Sequence, residues 1–237
     1  MAVCQHKRIA AVLLFITILF VICMTLQLKQ VSASAFSAAW PYKAEILKSR
    51  QVIVVEATST RSQTGTLSLR EIRNGQWRSV ISRIPVALGR EGIAKIREGD
   101  GRTPSGVYLL VQAFGSAVKP VDLKLTFTQT SYFDYWIDDP ASAEYNQWVT
   151  YTGNPAGRWN SYEHLLHPLY KYAVVIRYNE APVVPGKGSA IFLHIWRTAA
   201  KPTAGCIAMS EANLLKLIKL LDPALTPAIA IGLGDVD

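Results

Sequence analysis

Hydrophobic and polar positions along the chain follow two different periods. Short runs rich in β-branched and aromatic residues recur at fairly even spacing: QVIVVEA from Gln51, TGTLSLREI from Thr64, QWRSVI from Gln76, GVYLLVQAFG from Gly106, LKLTFTQ from Leu123, YKYAVVIRYN from Tyr170 and SAIFLHIW from Ser189. Runs of this length and composition predict strands, with successive side chains on opposite faces. In TLSLREIRNGQWRSV the alternation flanks Asn74-Gly75, a dipeptide that supplies the positive φ angles of a tight hairpin turn. Only SEANLLKLIKLLDP reads convincingly as a helix. Ser210 is its N-cap, Pro223 its stop, and Leu214, Leu215, Leu217, Ile218 and Leu221 give it a broad apolar face that packs on the sheet.

The pattern therefore predicts a mainly β domain, a mixed sandwich or barrel, with one packed C-terminal helix. Asp139 to Leu169 reads as an irregular insertion rich in Tyr, Trp, Asn, Pro and Gly, of a size that often carries function. No internal repeat or low-complexity tract interrupts the rest.

A different pattern opens the chain. After His6-Lys7-Arg8 comes an almost unbroken apolar run of 20 residues, Ile9 to Leu28. This predicts an export segment, either retained as an N-terminal membrane anchor or cleaved after the small residues Ala33-Ser34-Ala35 or Ser37-Ala38-Ala39. Both outcomes place the remainder in the periplasm or cell envelope, because the positive end stays inside. The expected organisation is residues 1–35 as signal peptide or anchor, 36–48 as linker and 49–237 as one catalytic-sized domain. Membrane contact is expected only through that anchor.

Charge narrows the partners. Beyond residue 35 the chain keeps 22 Lys and Arg against 17 Asp and Glu, a net +5. That surface suits an anionic envelope polymer, and the absence of any block of five or six basic residues argues against nucleic acid. Of the cysteines Cys4, Cys23 and Cys206, only the last lies beyond the export segment, so that part cannot form an internal disulfide. A lone thiol in an oxidising compartment is a liability, which favours a functional reason for Cys206.

A thiol is mostly protonated at neutral pH and needs a base to become a nucleophile. His194 is the candidate. In AIFLHIW, alternation puts Ile191, Leu193 and Ile195 on one face and Phe192, His194 and Trp196 on the other. Gly205 lets the backbone approach closely, so that its amide and that of Cys206 point at a developing oxyanion. A core histidine beside a buried structural cysteine fits the same spacing. Arg197 is either a fork for a peptide carboxylate or a strand-end surface charge. Thr203 either orients a substrate amide or holds a turn.

Other lookalikes are weaker. Gly186-Lys187-Gly188-Ser189 is too short for a phosphate loop and leads into a strand. His164 and His167 lack a third metal ligand of the right kind nearby. Asp138-Asp139-Pro140 reads as loop support. The aromatic cluster Tyr132, Phe133, Tyr135, Trp136, Tyr145 and Trp148 reads as core and cleft wall, with sugar stacking left open.

The segment SAIFLHIWRTAAKPTAGCIAMS resembles the active-site segment of the L,D-transpeptidase catalytic domain family, in which a strand histidine is followed by a short loop and Gly-Cys. KIREGDGRTPSGVYLL, YWIDDPASAEYNQWV, HPLYKYAVVIRYN and PGKGSAIFLHI resemble other pieces of that family in the same order, from about Ser49 to Asp237. The resemblance implies Cys206 as acyl-accepting nucleophile, His194 as general base, peptidoglycan stem peptides as substrate, and neither metal nor organic cofactor. Thr203 stands at a family Ser or Thr position.

There are departures. The histidine that usually precedes Gly-Cys is Ala204, the arginine two residues after the cysteine is Ala208, the glycine after the strand histidine is Ile195, and the loop is short. A hydrolase of the same family, acting as an L,D-carboxypeptidase, shares every residue named. A non-catalytic envelope-binding module is the reading without chemistry. A sortase-like enzyme requires an arginine after the cysteine, and none occurs between Cys206 and Asp237.

Overall fold

The structure, a computed structural model, describes residues 40, 43–45, 47–199 and 201–234. The apolar run and its cleavage positions lie outside the described residues. Among the described residues no helix is long and apolar enough to cross a membrane.

The strands in chain order are β1 (Gln51–Ala57), β2 (Thr64–Arg73), β3 (Gln76–Ala87), β4 (Gly106–Gly115), β5 (Thr126–Gln129), β6 (Asp134–Trp136), β7 (Trp148–Thr150), β8 (Glu163–His164), β9 (Ala173–Ile176), β10 (Phe192–Ile195), β11 (Ile207–Met209) and β12 (Ala228–Leu233). One helix, α1 (Glu211–Leu220), lies between β11 and β12. The main sheet runs β12-β1-β2-β3-β11-β10-β9-β4-β5, and β12 pairs with β4 as well. That extra pairing closes eight strands into a barrel. One edge of β4 serves β12 along Gly106–Leu109 and then β5 along Gln112–Gly115.

Period-two alternation separates two cores. Leu193 and Val174 point into the barrel, where they meet Ile53, Leu67, Leu110, Ile207 and Ile229 together with Leu214, Leu217 and Ile218 of α1. Their neighbours Phe192, Ala173 and Val175 face outward and pack with Phe114, Trp136, Leu165, Tyr170 and Cys206. The thiol thus sits outside the barrel wall, under the insertion.

The Asn74-Gly75 turn has φ of 52° and 73° as expected, and Ser210 caps α1 by accepting the Asn213 amide. Two expectations are revised. β3 runs on to Ala87, because register shifts opposite Leu67 and Leu69 break its alternation. The insertion is not wholly irregular: it contributes to a second sheet ordered β7-β6-β8. Strands of two and three residues are too short to show a period. Asp134 holds them by accepting from Ser131 N, Ser131 Oγ, Trp148 Nε1 and Thr150 Oγ1.

Candidate active site

β10 and β11 are parallel neighbours, with Leu193 opposite Ile207 and His194 opposite Ala208. Their connection returns from the end of β10 to the start of β11 and carries Thr203, Gly205 and Cys206. The loop is pinned at Thr203, whose amide donates to Leu88 O and whose carbonyl accepts from Arg90 N. The Thr203 hydroxyl donates to Cys206 O at 2.6 Å and accepts from Gly205 N at 3.1 Å. Gly205 has φ of 152°, and a Cβ there would lie 2.9 Å from Arg102 O, so only glycine fits.

This places Thr203 as the brace of the turn. It also engages the Gly205 amide, which in this state donates to a side chain of its own loop and is not free for an oxyanion. A further support comes from the Thr-Pro-Ser-Gly segment: buried Thr103 accepts from Gly89 N and donates to Cys206 O.

Cys206 is free and buried, 8% exposed. Its Sγ donates to Ala190 O at 3.2 Å and accepts from Phe192 N at 3.4 Å. His194, on β10, contacts Ile195 O through Nδ1 at 2.8 Å. A carbonyl only accepts, so Nδ1 carries the proton and Nε2 keeps its lone pair. The His194 ring stands edge-on to Tyr170, with centroids 5.3 Å apart.

Sulfur and imidazole share one cavity of about 490 Å³, yet the hydrogen bonds of each run to backbone groups and not to the other. Burial lowers His194 to about 4. It drives the Cys206 thiol far up, and the negative charge of Glu163 adds to that rise. The resting pair is therefore a neutral thiol and a neutral imidazole, not a preformed thiolate–imidazolium pair.

Arg197 is exposed on the rim of the same cavity, with Arg90 and Lys201. The cavity also has acidic lining residues, which were not legible in the sequence. Glu98 accepts from Ser189 Oγ at 2.6 Å and from the Tyr145 hydroxyl. Glu163 accepts from the Tyr170 hydroxyl, and Asp138 also lines the cavity. Asp139 supports the loop, accepting from Ala141 N, Asn160 N and Asn160 Nδ2. Tyr135, Trp136 and Tyr145 are buried, whereas Tyr132 and Phe133 are exposed. His167 lines the cavity, while His164 sits on β8 against Tyr135 and Tyr132.

A closed β-barrel that holds in one cavity an imidazole on one strand and a thiol on the Gly-Cys turn leading into its parallel neighbour defines a narrow class. A match to the L,D-transpeptidase catalytic domain (YkuD) family spans residues 50–229, and the chain belongs to that family. Among solved structures, the chain is similar to the helical cell shape determining protein Pgp2 from Campylobacter jejuni. The identity is 16% and the TM-score 0.44, over 78% of this chain and 48% of that one. The chain spans about half the length of that protein. No curated protein matches the chain.

Proposed function

We propose that the protein is an exported cysteine acyltransferase that acts on peptidoglycan stem peptides by L,D-transpeptidation. The observation that carries this reading is the His194 geometry: Nδ1–H tied to Ile195 O leaves Nε2 unprotonated in the cavity that also holds Cys206 Sγ. Membership of the family supports the substrate class. The apolar run Ile9 to Leu28 supports export, by a cleaved signal or by an anchor, to the periplasm or cell envelope.

In the first step the sulfur leaves the Ala190 carbonyl and its proton passes to His194 Nε2. The sulfur then attacks the carbonyl carbon of the third stem residue. The C–N bond to the terminal D-amino acid breaks, and the imidazolium returns its proton to the departing amine. In the second step an amine of a neighbouring stem attacks the thioester. It gives its proton to His194, and the sulfur leaves and is reprotonated. The Cys206 amide takes the oxyanion, joined by the Gly205 amide once that donor lets go of Thr203 Oγ1; one such donor is worth about 3 kcal/mol. Arg197 takes a substrate carboxylate at the rim. No cofactor enters these steps.

A neutral resting pair means that proton transfer accompanies attack. Acylation therefore needs a reactive carbonyl held close to Sγ. The test is intact-mass measurement after adding a carbapenem, whose strained lactam carbonyl acylates a nucleophilic thiol. An adduct on the wild type that is absent in Cys206→Ala, with stem cross-links that depend on Cys206 in a muropeptide digest, is the expected result. No adduct and unchanged muropeptides would sink the reading. An adduct with shortened, uncross-linked stems would assign the L,D-carboxypeptidase outcome instead.

A further inference from the structure

We propose that Glu163, acting through the Tyr170 hydroxyl, is a positioning residue of the Cys206 site: it fixes the aromatic wall beside His194 and places an ionisable group in the cavity that holds the sulfur. The purpose of this arrangement rests on the reading of Cys206 as nucleophile, but its geometry does not.

Glu163 belongs to β8, paired with Trp136 of β6, and so comes from the insertion and not from the barrel. The Tyr170 hydroxyl donates to Glu163 Oε1. That bond orients a buried ring that stands edge-on to His194 at 5.3 Å and to Phe192 at 5.6 Å between centroids. Phe192 in turn supplies the amide that donates to Cys206 Sγ. Glu163, Tyr170, His194 and Cys206 all line one cavity. One carboxylate therefore braces the wall touching both the base and the residue that holds the sulfur.

The same placement couples the charges. A half-buried carboxylate, walled by the protein and held by one neutral hydroxyl, is costly to ionise. Burial raises Glu163 to about 7; Asp138 and Glu98 push in the same direction and the Tyr170 hydrogen bond opposes them. Ionised Glu163 disfavours the Cys206 thiolate, whereas Lys95, paired with Asp100, favours it. His167, Arg90, Arg197 and Lys201 also line the cavity. Among the described residues no cation is paired with Glu163.

The sign follows. Below pH 7 Glu163 is neutral and the thiol ionises with less opposition. As pH rises through about 7 the carboxylate appears in the cavity that the sulfur also lines. Thiolate still increases with pH, but across that interval it increases less than tenfold per unit.

The experiment is the rate of iodoacetamide alkylation of Cys206 in the full chain, read by mass on the peptide that carries it, from pH 5.5 to 9.5. This readout does not need transpeptidation, so failure of the proposal and failure of the acyltransferase reading are distinguishable. The expected wild-type plot of log rate against pH has a break near neutrality. Glu163→Gln, nearly equal in shape, should lose the break and react about tenfold faster than wild type above pH 8. Tyr170→Phe keeps the ring but removes the donor that favours the charged carboxylate, so the break should move to higher pH. If Glu163→Gln does not fold, as judged by near-ultraviolet circular dichroism, Tyr170→Phe alone decides. A break that persists in Glu163→Gln, or one that stays put in Tyr170→Phe, overturns the proposal.

Discussion

At the scale of single residues, the site is governed by desolvation. His194 in the folded chain takes a proton only near pH 4, against 6.5 for an unburied imidazole, because burial penalises its charged form. The unfolded chain therefore binds the extra proton first on acidification. The His194 contribution to stability is full above about pH 6.5 and is lost as pH falls toward 4. Glu163 runs the other way: its raised value makes the native state the better proton binder, so its contribution is lost as pH rises through about 7. His194→Gln removes one of these opposed terms. Urea unfolding at pH 7 and pH 4.5 should show the wild type losing about 2 kcal/mol more than His194→Gln on acidification; equal losses would mean that the imidazole is not held neutral. The same variant lacks the proton acceptor and should form the carbapenem adduct at least a hundredfold more slowly at pH 7, the usual scale for removal of a general base.

At the scale of elements, one buried amide ties the insertion to the site. Asn146, with φ of 59°, accepts from Trp136 Nε1 and Ala190 N through Oδ1 and donates to Tyr178 O and Asn179 O through Nδ2. Ala190 is the residue whose carbonyl holds the Cys206 thiol. Asn146→Ala leaves an indole N–H, the Ala190 N–H and two carbonyls without this partner inside the protein and should cost about 3 kcal/mol by urea unfolding. With Ala190 loosened, Cys206 should also alkylate faster than in wild type; an unchanged rate would show that the insertion does not steady the thiol. Sequence patterning reached some of this and not the rest. β1, β2, β4, the Asn74-Gly75 turn and α1 were legible because each is long enough to show its period or carries its own turn or cap residue. Cys206, His194 and Gly205 were legible as candidates because a reactive residue type and a permissive glycine lie within one short segment. Glu163, Tyr170 and Asn146 were not. Their roles arise from β6, β7 and β8 folding over the barrel wall, and two- or three-residue strands leave no periodic trace. Thr203 and the Gly205 amide show the converse limit: the residue types suit substrate contact, but only the loop geometry shows that they bond to each other.

At the scale of the whole molecule, the barrel is closed by its last strand. β12 lies parallel to β1 over Val52–Ala57 and antiparallel to Gly106–Leu109 of β4, and its residues Ala228 to Gly232 are buried. Parallel pairing of the first strand with the last cannot form until nearly all of the domain has been made, so closure depends on contacts of the greatest sequence separation. Removing β12 strips Ile229 and Ile231 from the interior core that also holds α1, and Ala228 and Ala230 from the outer cluster containing Trp40, Val52 and Val54. It also exposes the facing edges of β1 and β4, two unpaired rows of backbone donors and acceptors that invite association. A chain ending at Pro227 should therefore show no cooperative urea transition and should sediment as aggregates. Its Cys206 should alkylate at the rate of an exposed thiol, with a log rate that climbs evenly with pH. Cys206 packs in a different cluster from the β12 side chains, with Phe114, Trp136, Tyr170 and Phe192. Fast alkylation in the truncated chain would then mean that the burial which raises the thiol is a property of the closed barrel, reaching the site through α1, β11 and the Thr203 turn. A truncated chain that unfolds cooperatively with Cys206 still protected would show instead that the insertion and β9–β11 hold the site without closure.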